Sequence, residues 1–130
     1  MTCCTTVPAQ HQHATTMSHA ATVYRPRVDI VEKENELLLI ADMPGTTRDA
    51  IELNYEDGQL TIHARVAQRA PEKARALRSE YGVGDYRRTF QIGKGVDAQA
   101  MHAEYHAGVL TVHLPKAEAA KPRKIVVNGV

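Results

Sequence analysis

The sequence predicts an all-β fold, an immunoglobulin-like antiparallel β-sandwich with flexible N- and C-terminal arms. Three observations predict it: apolar residues recur with the two-residue period of half-buried strands, turn signals separate these runs, and helical periodicity is almost absent. A chain of 130 residues suits one such domain with a single core. With 43% hydrophobic residues, 5% aromatic residues and no Trp, that core must be assembled mainly from Val, Ile, Leu and Ala.

Residues 1–22 are rich in Thr, His, Ala and Gln without sustained periodicity and read as a flexible N-terminal arm. A first strand is expected over 27–31, with Pro26 at its start, where a missing N–H is tolerated. The polar stretch 32–36 turns the chain. Residues 37–43 form a central strand with one face of Leu37, Leu39 and Ala41 and another of Leu38 and Ile40, ended by Pro44-Gly45. Ile51, Leu53 and Tyr55 alternate with Glu52 and Asn54, Asp57-Gly58 supplies the positive φ values of a hairpin turn, and Leu60, Ile62 and Ala64 return.

Between residues 65 and 88 the apolar rhythm lapses, and seven basic residues stand against three acidic ones, a local charge of +4. So long a connection in a compact domain argues for a task, such as closing a site or reaching another subunit. Within it, 71–77 is expected to form a short helix, with Pro at an early position followed by Glu, Lys, Ala, Arg and Leu. Tyr86, Arg88, Phe90 and Ile92 then share one face opposite Arg87, Thr89 and Gln91, so an arginine lies among apolar side chains. Strands over 100–105 and 109–114 are joined tightly through His106-Ala107-Gly108, and Pro115 stops the second. The domain therefore spans 23–116, with the long loop at 65–88, and 117–130 form a C-terminal extension carrying an isolated aliphatic island, Ile125-Val126-Val127.

A formal net charge of +1 creates no field able to gather polyanions, so nucleic acid is not the expected partner, and no membrane partner is expected either. Cys3 and Cys4 are the sole cysteines, adjacent and in the arm, so no disulfide framework supports the domain, which fits a reducing cytoplasm. The first 24 residues carry no Lys, Arg, Asp or Glu and no membrane-spanning apolar run, and the chain reads as soluble, cytoplasmic and untargeted. No nucleophile with a base, paired-carboxylate site or phosphate-binding loop stands in the required context, and Gly93-Lys94-Gly95 lacks the rest of a nucleotide-binding motif. The chain is therefore not expected to be an enzyme or to hold a cofactor. Cys3, Cys4, His11, His13 and His19 are ligand types without ligand spacing, while His63, His102, His106 and His113 are scattered over predicted strands and read as surface or rim residues; no metal site is expected.

Residues 103–110 read A-E-Y-H-A-G-V-L, similar to the A-x-x-x-n-G-V-L stretch that is diagnostic of the small heat shock proteins. Asp42-Met43-Pro44-Gly45, Asp57-Gly58, the run Y-R-R-T-F-Q-I from Tyr86, Val96-Asp97 and Leu114-Pro115-Lys116 stand around it in the family's order across 23–116. On these residues the chain resembles the small heat shock protein (Hsp20, α-crystallin domain) family, of bacterial type. It departs from the pattern at Ala107, where Asn is usual, at Met43, where Leu is usual, and in its short N-terminal arm. Ala at a positive-φ turn position costs about 1 kcal/mol, a local penalty that leaves the fold intact.

The resemblance implies an ATP-independent holdase that binds non-native client proteins and prevents their aggregation, assembling through homodimers into higher homo-oligomers. Ser79, Glu80, Tyr81, Gly82, Val83 and Gly84 resemble the segment that forms a strand exchanged with the partner's first strand; the alternative is a solvated basic loop. Arg88 matches the family's dimer arginine and is expected to be partly buried beside a carboxylate. Ile125 and Val127 are similar to the family's I-x-I/V anchor, project to one side when extended, and gain about 1.5–3 kcal/mol each on full burial. Such a contact is weak alone and effective only when several tails act together; the alternative is a last strand of the chain's own sandwich. The receiving groove is expected between 51–55 and 103–105, with Leu53 and Ala103 on it. Two other functions remain open: a monomeric co-chaperone-like interaction module, and a nucleic-acid binder using the basic loop, which lacks an aromatic stacking platform.

Overall fold

The structure, a computed structural model, describes residues 22–68, 71, 73–75 and 77–129. Numbered along the chain, β1 (Val23–Tyr24), β6 (Asp85–Gln91), β5 (Gln59–Ala64) and β4 (Ile51–Glu56) lie side by side in that order in one sheet. The second sheet has the order β2 (Arg27–Glu32), β3 (Glu36–Asp42), β8 (Val109–Pro115) and β7 (His102–His106). The expected β-sandwich is thus present, antiparallel throughout except at one pair: β1 runs parallel to β6, with Val23 opposite Asp85 and Tyr24 opposite Tyr86. Among the described residues, no helix is long and apolar enough to cross a membrane.

The alternation read from sequence sets the inner faces. Leu39 and Ala41 of β3, Leu60, Ile62 and Ala64 of β5, and Leu110, Val112 and Leu114 of β8 are buried, joined by Phe90 of β6 and by Met43 and Val96 from connections. Truncating Ile62 or Leu39 to Ala would cost about 2–5 kcal/mol, a large share of the roughly 5–15 kcal/mol by which a domain is stable. The outermost strands fare differently. Ile30 lies opposite Leu39 yet is 52% exposed, because β2 is an edge with nothing stacked beyond it.

The short helix expected over 71–77 is not found in the described part of that stretch, which makes a single turn closed by the Ala74 N–H donating to the Pro71 carbonyl at 2.9 Å. Leu77 is 98% exposed. A segment this short needs an apolar face packed on the core to offset the cost of helix nucleation, and Leu77 provides none.

Three tyrosine hydroxyls fasten the ends of the sandwich by donating to connecting-segment carbonyls: Tyr55 to Gly93 at 2.8 Å, Tyr86 to Pro44 at 3.1 Å, and Tyr105 to both Met43 and Thr46 at 3.1 Å. The Pro44-Gly45 turn is thereby held from both sheets. At the domain's end Lys116 donates to Glu32 at 2.6 Å, and this hydrogen bond and the lysine's charge hold the Glu32 carboxyl below its ordinary range. Glu36 is lowered in the same way, first by Lys33 and then by His113. Carboxylates lowered on folding stabilise the fold above their ordinary range, and the contribution is lost as pH falls through the lowered values.

Both two-residue hairpins carry positive φ at each central residue, 48° and 79° at Asp57 and Gly58, and 48° and 84° at Ala107 and Gly108. These values match the right-handed twist of the flanking strands. Asp tolerates this conformation through its short polar side chain, whereas Ala has no such compensation. The substitution Ala107→Asn is therefore expected to stabilise the domain by about 1 kcal/mol, read as a raised thermal midpoint; an unchanged or lowered midpoint would count against strain at this turn.

Candidate functional site

The residues expected to receive an apolar tail lie on the inner faces of two edge strands. Leu53 in β4 is paired with Ile62, and Ala103 in β7 with Val112, both partners being buried core residues. Leu53 and Ala103 themselves are exposed, Leu53 at 37%. Only residues 25 and 26 join β1 to β2, which sets those two edges on one side of the sandwich and β4 and β7 together on the other. The seam between β4 and β7 is therefore apolar and open.

Beyond the last 3₁₀ turn, Glu118–Ala120, residues 121–129 form no strand, so the tail adds nothing to the chain's own sheets. Ile125, Val126 and Val127 are 84%, 75% and 87% exposed. Leaving the Ile and Val pair in water forgoes about 3–6 kcal/mol that a pocket would return. The molecule thus carries an uncovered apolar seam and an uncovered apolar tail.

The loop residues Ser79, Glu80, Tyr81, Gly82, Val83 and Gly84 form no strand within the single chain, and Tyr81 and Val83 are 74% and 44% exposed. The segment instead approaches β1. A Cβ on Gly84 would collide with the Thr22 carbonyl, which accepts from the Asp85 N–H at 2.9 Å, so only glycine permits this approach. A cleft of about 550 Å³ opens there, lined by Tyr24, Pro26, Pro44, Tyr81, Val83 and Tyr86 among others.

Arg88 lies on the inner face of β6, opposite Ile62 and half-buried as expected. The expected carboxylate partner is replaced. Arg88 donates from Nη1 to the Pro26 carbonyl at 3.0 Å, its guanidinium sits 4.8 Å from the Phe90 ring centroid, and it makes no ion pair among the described residues. A planar, weakly hydrated guanidinium suits a ring face and a carbonyl together, and these are its neighbours within the chain.

One cluster escaped the sequence reading. His102 and His113 are not scattered but directly opposed across β7 and β8, their rings stacked 4.3 Å apart and 5° from parallel, with Glu104 beside them. The tight hairpin contained the signal: a two-residue turn at Ala107-Gly108 pairs His106 with Val109 and, counting outward, His102 with His113. Cys3, Cys4, His11, His13 and His19 lie outside the described residues.

A model of the Hsp20/alpha crystallin family matches residues 29–128. An "18 kDa antigen 1" of Mycobacterium intracellulare is 33% identical over 110 residues, covering 82% of this chain and 73% of that protein. "Small heat shock protein C4" of Rickettsia felis is 31% identical over 107 residues, 82% of this chain and 66% of that protein's length. Among solved structures, a small heat-shock protein from Xylella fastidiosa, described as having a distinct high order structure, aligns with a TM-score of 0.64 at 34% identity, covering 82% of this chain and 98% of that one. Heat shock protein 16.0 from Schizosaccharomyces pombe aligns with a TM-score of 0.66 at 27% identity, covering 82% and 99%. The strand order, the open seam and these matches converge: the chain belongs to the Hsp20/alpha crystallin family, the small heat shock proteins, which are ATP-independent chaperones rather than enzymes.

Proposed function

We propose that this chain is a cytoplasmic holdase that binds non-native client proteins without nucleotide and rests as homodimers gathered into larger homo-oligomers. The observation that carries this reading is the pairing of an uncovered apolar seam at Leu53 and Ala103 with an uncovered apolar tail at Ile125 and Val127 on the same chain. Such a chain is complementary to copies of itself. Each tail contact is worth a few kcal/mol before ordering costs, so it opens readily alone and holds when several act at once.

In this reading Ser79, Glu80, Tyr81, Gly82, Val83 and Gly84 leave their own chain's cleft to pair with a partner's first strand, and Arg88 steadies the region beneath. Heating does two things together: it detaches tails and it supplies clients with exposed apolar segments. Seams uncovered by tail release then take up those segments, a shift among states that already exist. The charged side chains of strands and loops keep the loaded assembly in solution.

The chain is expected to suppress thermal aggregation of a model client, followed by light scattering in the absence of nucleotide; no suppression at a several-fold subunit excess would overturn the holdase reading. Native mass measurement of the full chain beside Ile125→Gly/Val127→Gly is expected to show a large assembly reduced to dimers. Equal masses for the two would remove the tail from the mechanism, and a monomeric full chain would return the protein to the class of monomeric interaction modules.

A further inference from the structure

We propose that His102, Glu104 and His113 form a surface site for a divalent transition-metal ion of the zinc class. The site does not depend on the chaperone reading. His102 and Glu104 are two residues apart on β7 and so share a face, and His113 is the cross-strand partner of His102. That face is the outer one, since the intervening Ala103 pairs with the buried Val112. One donor atom from each of the three residues lies within 4.8 Å of the others.

The ring orientations are set by groups behind them. His113 Nδ1 is 3.1 Å from Glu36 Oε2, and His102 Nδ1 is 3.3 Å from the Ala100 carbonyl. A carboxylate and a carbonyl oxygen only accept, so in each neutral imidazole the proton sits on Nδ1 and the lone pair is left on Nε2. Glu36 is itself anchored by Lys33, whose Nζ donates to its other oxygen at 2.9 Å. A histidine whose far nitrogen donates to a fixed carboxylate or carbonyl is the arrangement that orients imidazole ligands toward a metal and raises their basicity.

Bonds of about 2.0–2.2 Å to imidazole nitrogen and carboxylate oxygen require the donors to close by on the order of 1 Å. His102 and Glu104 are both exposed, so a small tilt of the stacked rings about their Nδ1 hydrogen bonds, with a turn of the Glu104 carboxylate, brings the donors together. Two imidazoles and one carboxylate favour zinc, copper or nickel over magnesium and calcium. Three ligands also leave a coordination position open to water or to a donor from a second chain.

The test is titration of the full chain with zinc chloride against a chromophoric chelator, beside His102→Ala, His113→Ala, Glu36→Gln and Cys3→Ser/Cys4→Ser, each checked for native circular dichroism. Each histidine variant is expected to lose one zinc per chain and the cysteine variant to keep it. Glu36→Gln is expected to retain the site with affinity weakened about 10–100-fold. Unaltered zinc stoichiometry in the histidine variants, loss confined to the cysteine variant, or no zinc uptake by the native chain would overturn the assignment. Should His113→Ala unfold, the exposed His102→Ala decides alone.

Discussion

Leu39, Ile62 and Leu114 are sealed completely in the middle of the sandwich, while Ile30 and Leu53, facing the same interior from the outermost strands, remain wet. This gradient is a matter of geometry. Two sheets of four short strands enclose one layer of aliphatic side chains, and the layer ends where the sheets end. Filling it further would need larger residues or additional strands, and with a single Phe and no Trp the chain has little bulk to offer. Apolar seams at the rims follow directly.

Keeping the ends of so thin a sandwich in order falls to polar contacts of modest strength. The domain has no disulfide to draw on, its cysteines being confined to the arm. Tyrosines instead place a ring on the core and a hydroxyl on a connecting carbonyl, so each joins burial to a hydrogen bond worth about 0.5–1.5 kcal/mol. Arg88 follows the same logic with a ring and a carbonyl.

Strand alternation made most of this architecture legible. The faces of 37–43, 51–55 and 86–92, and the turns at Asp57-Gly58 and Ala107-Gly108, were readable because period and turn chemistry are local properties of the chain. Three features were not. β1 is two residues long and owes its existence to β6, to which it pairs in parallel across some sixty intervening residues, and no local signal encodes that. The helix expected over 71–77 rested on intrinsic preference, which decides nothing for a segment without a packed face. The carboxylate expected for Arg88 came from its place among apolar residues on a strand, whereas its surroundings within the chain are fixed by a neighbouring ring and the entry to β2. The seam and the tail were legible as residues, yet their shared exposure emerges only once both sheets and the chain's end have been placed.

β6 is seven residues long but β1 covers only Asp85 and Tyr86, so from Arg87 onward its outer backbone edge is bare among the described residues. A bare edge is a template on which any extended polypeptide can crystallise strand by strand, including damaged copies of the protein itself. Arg87, exposed on the outer face of β6, stands at that edge as a gatekeeper, since a strand added there meets its positive charge. A protein that tolerates sticky company needs such a guard, and its cost is selectivity: acidic strands would be admitted where basic ones are repelled.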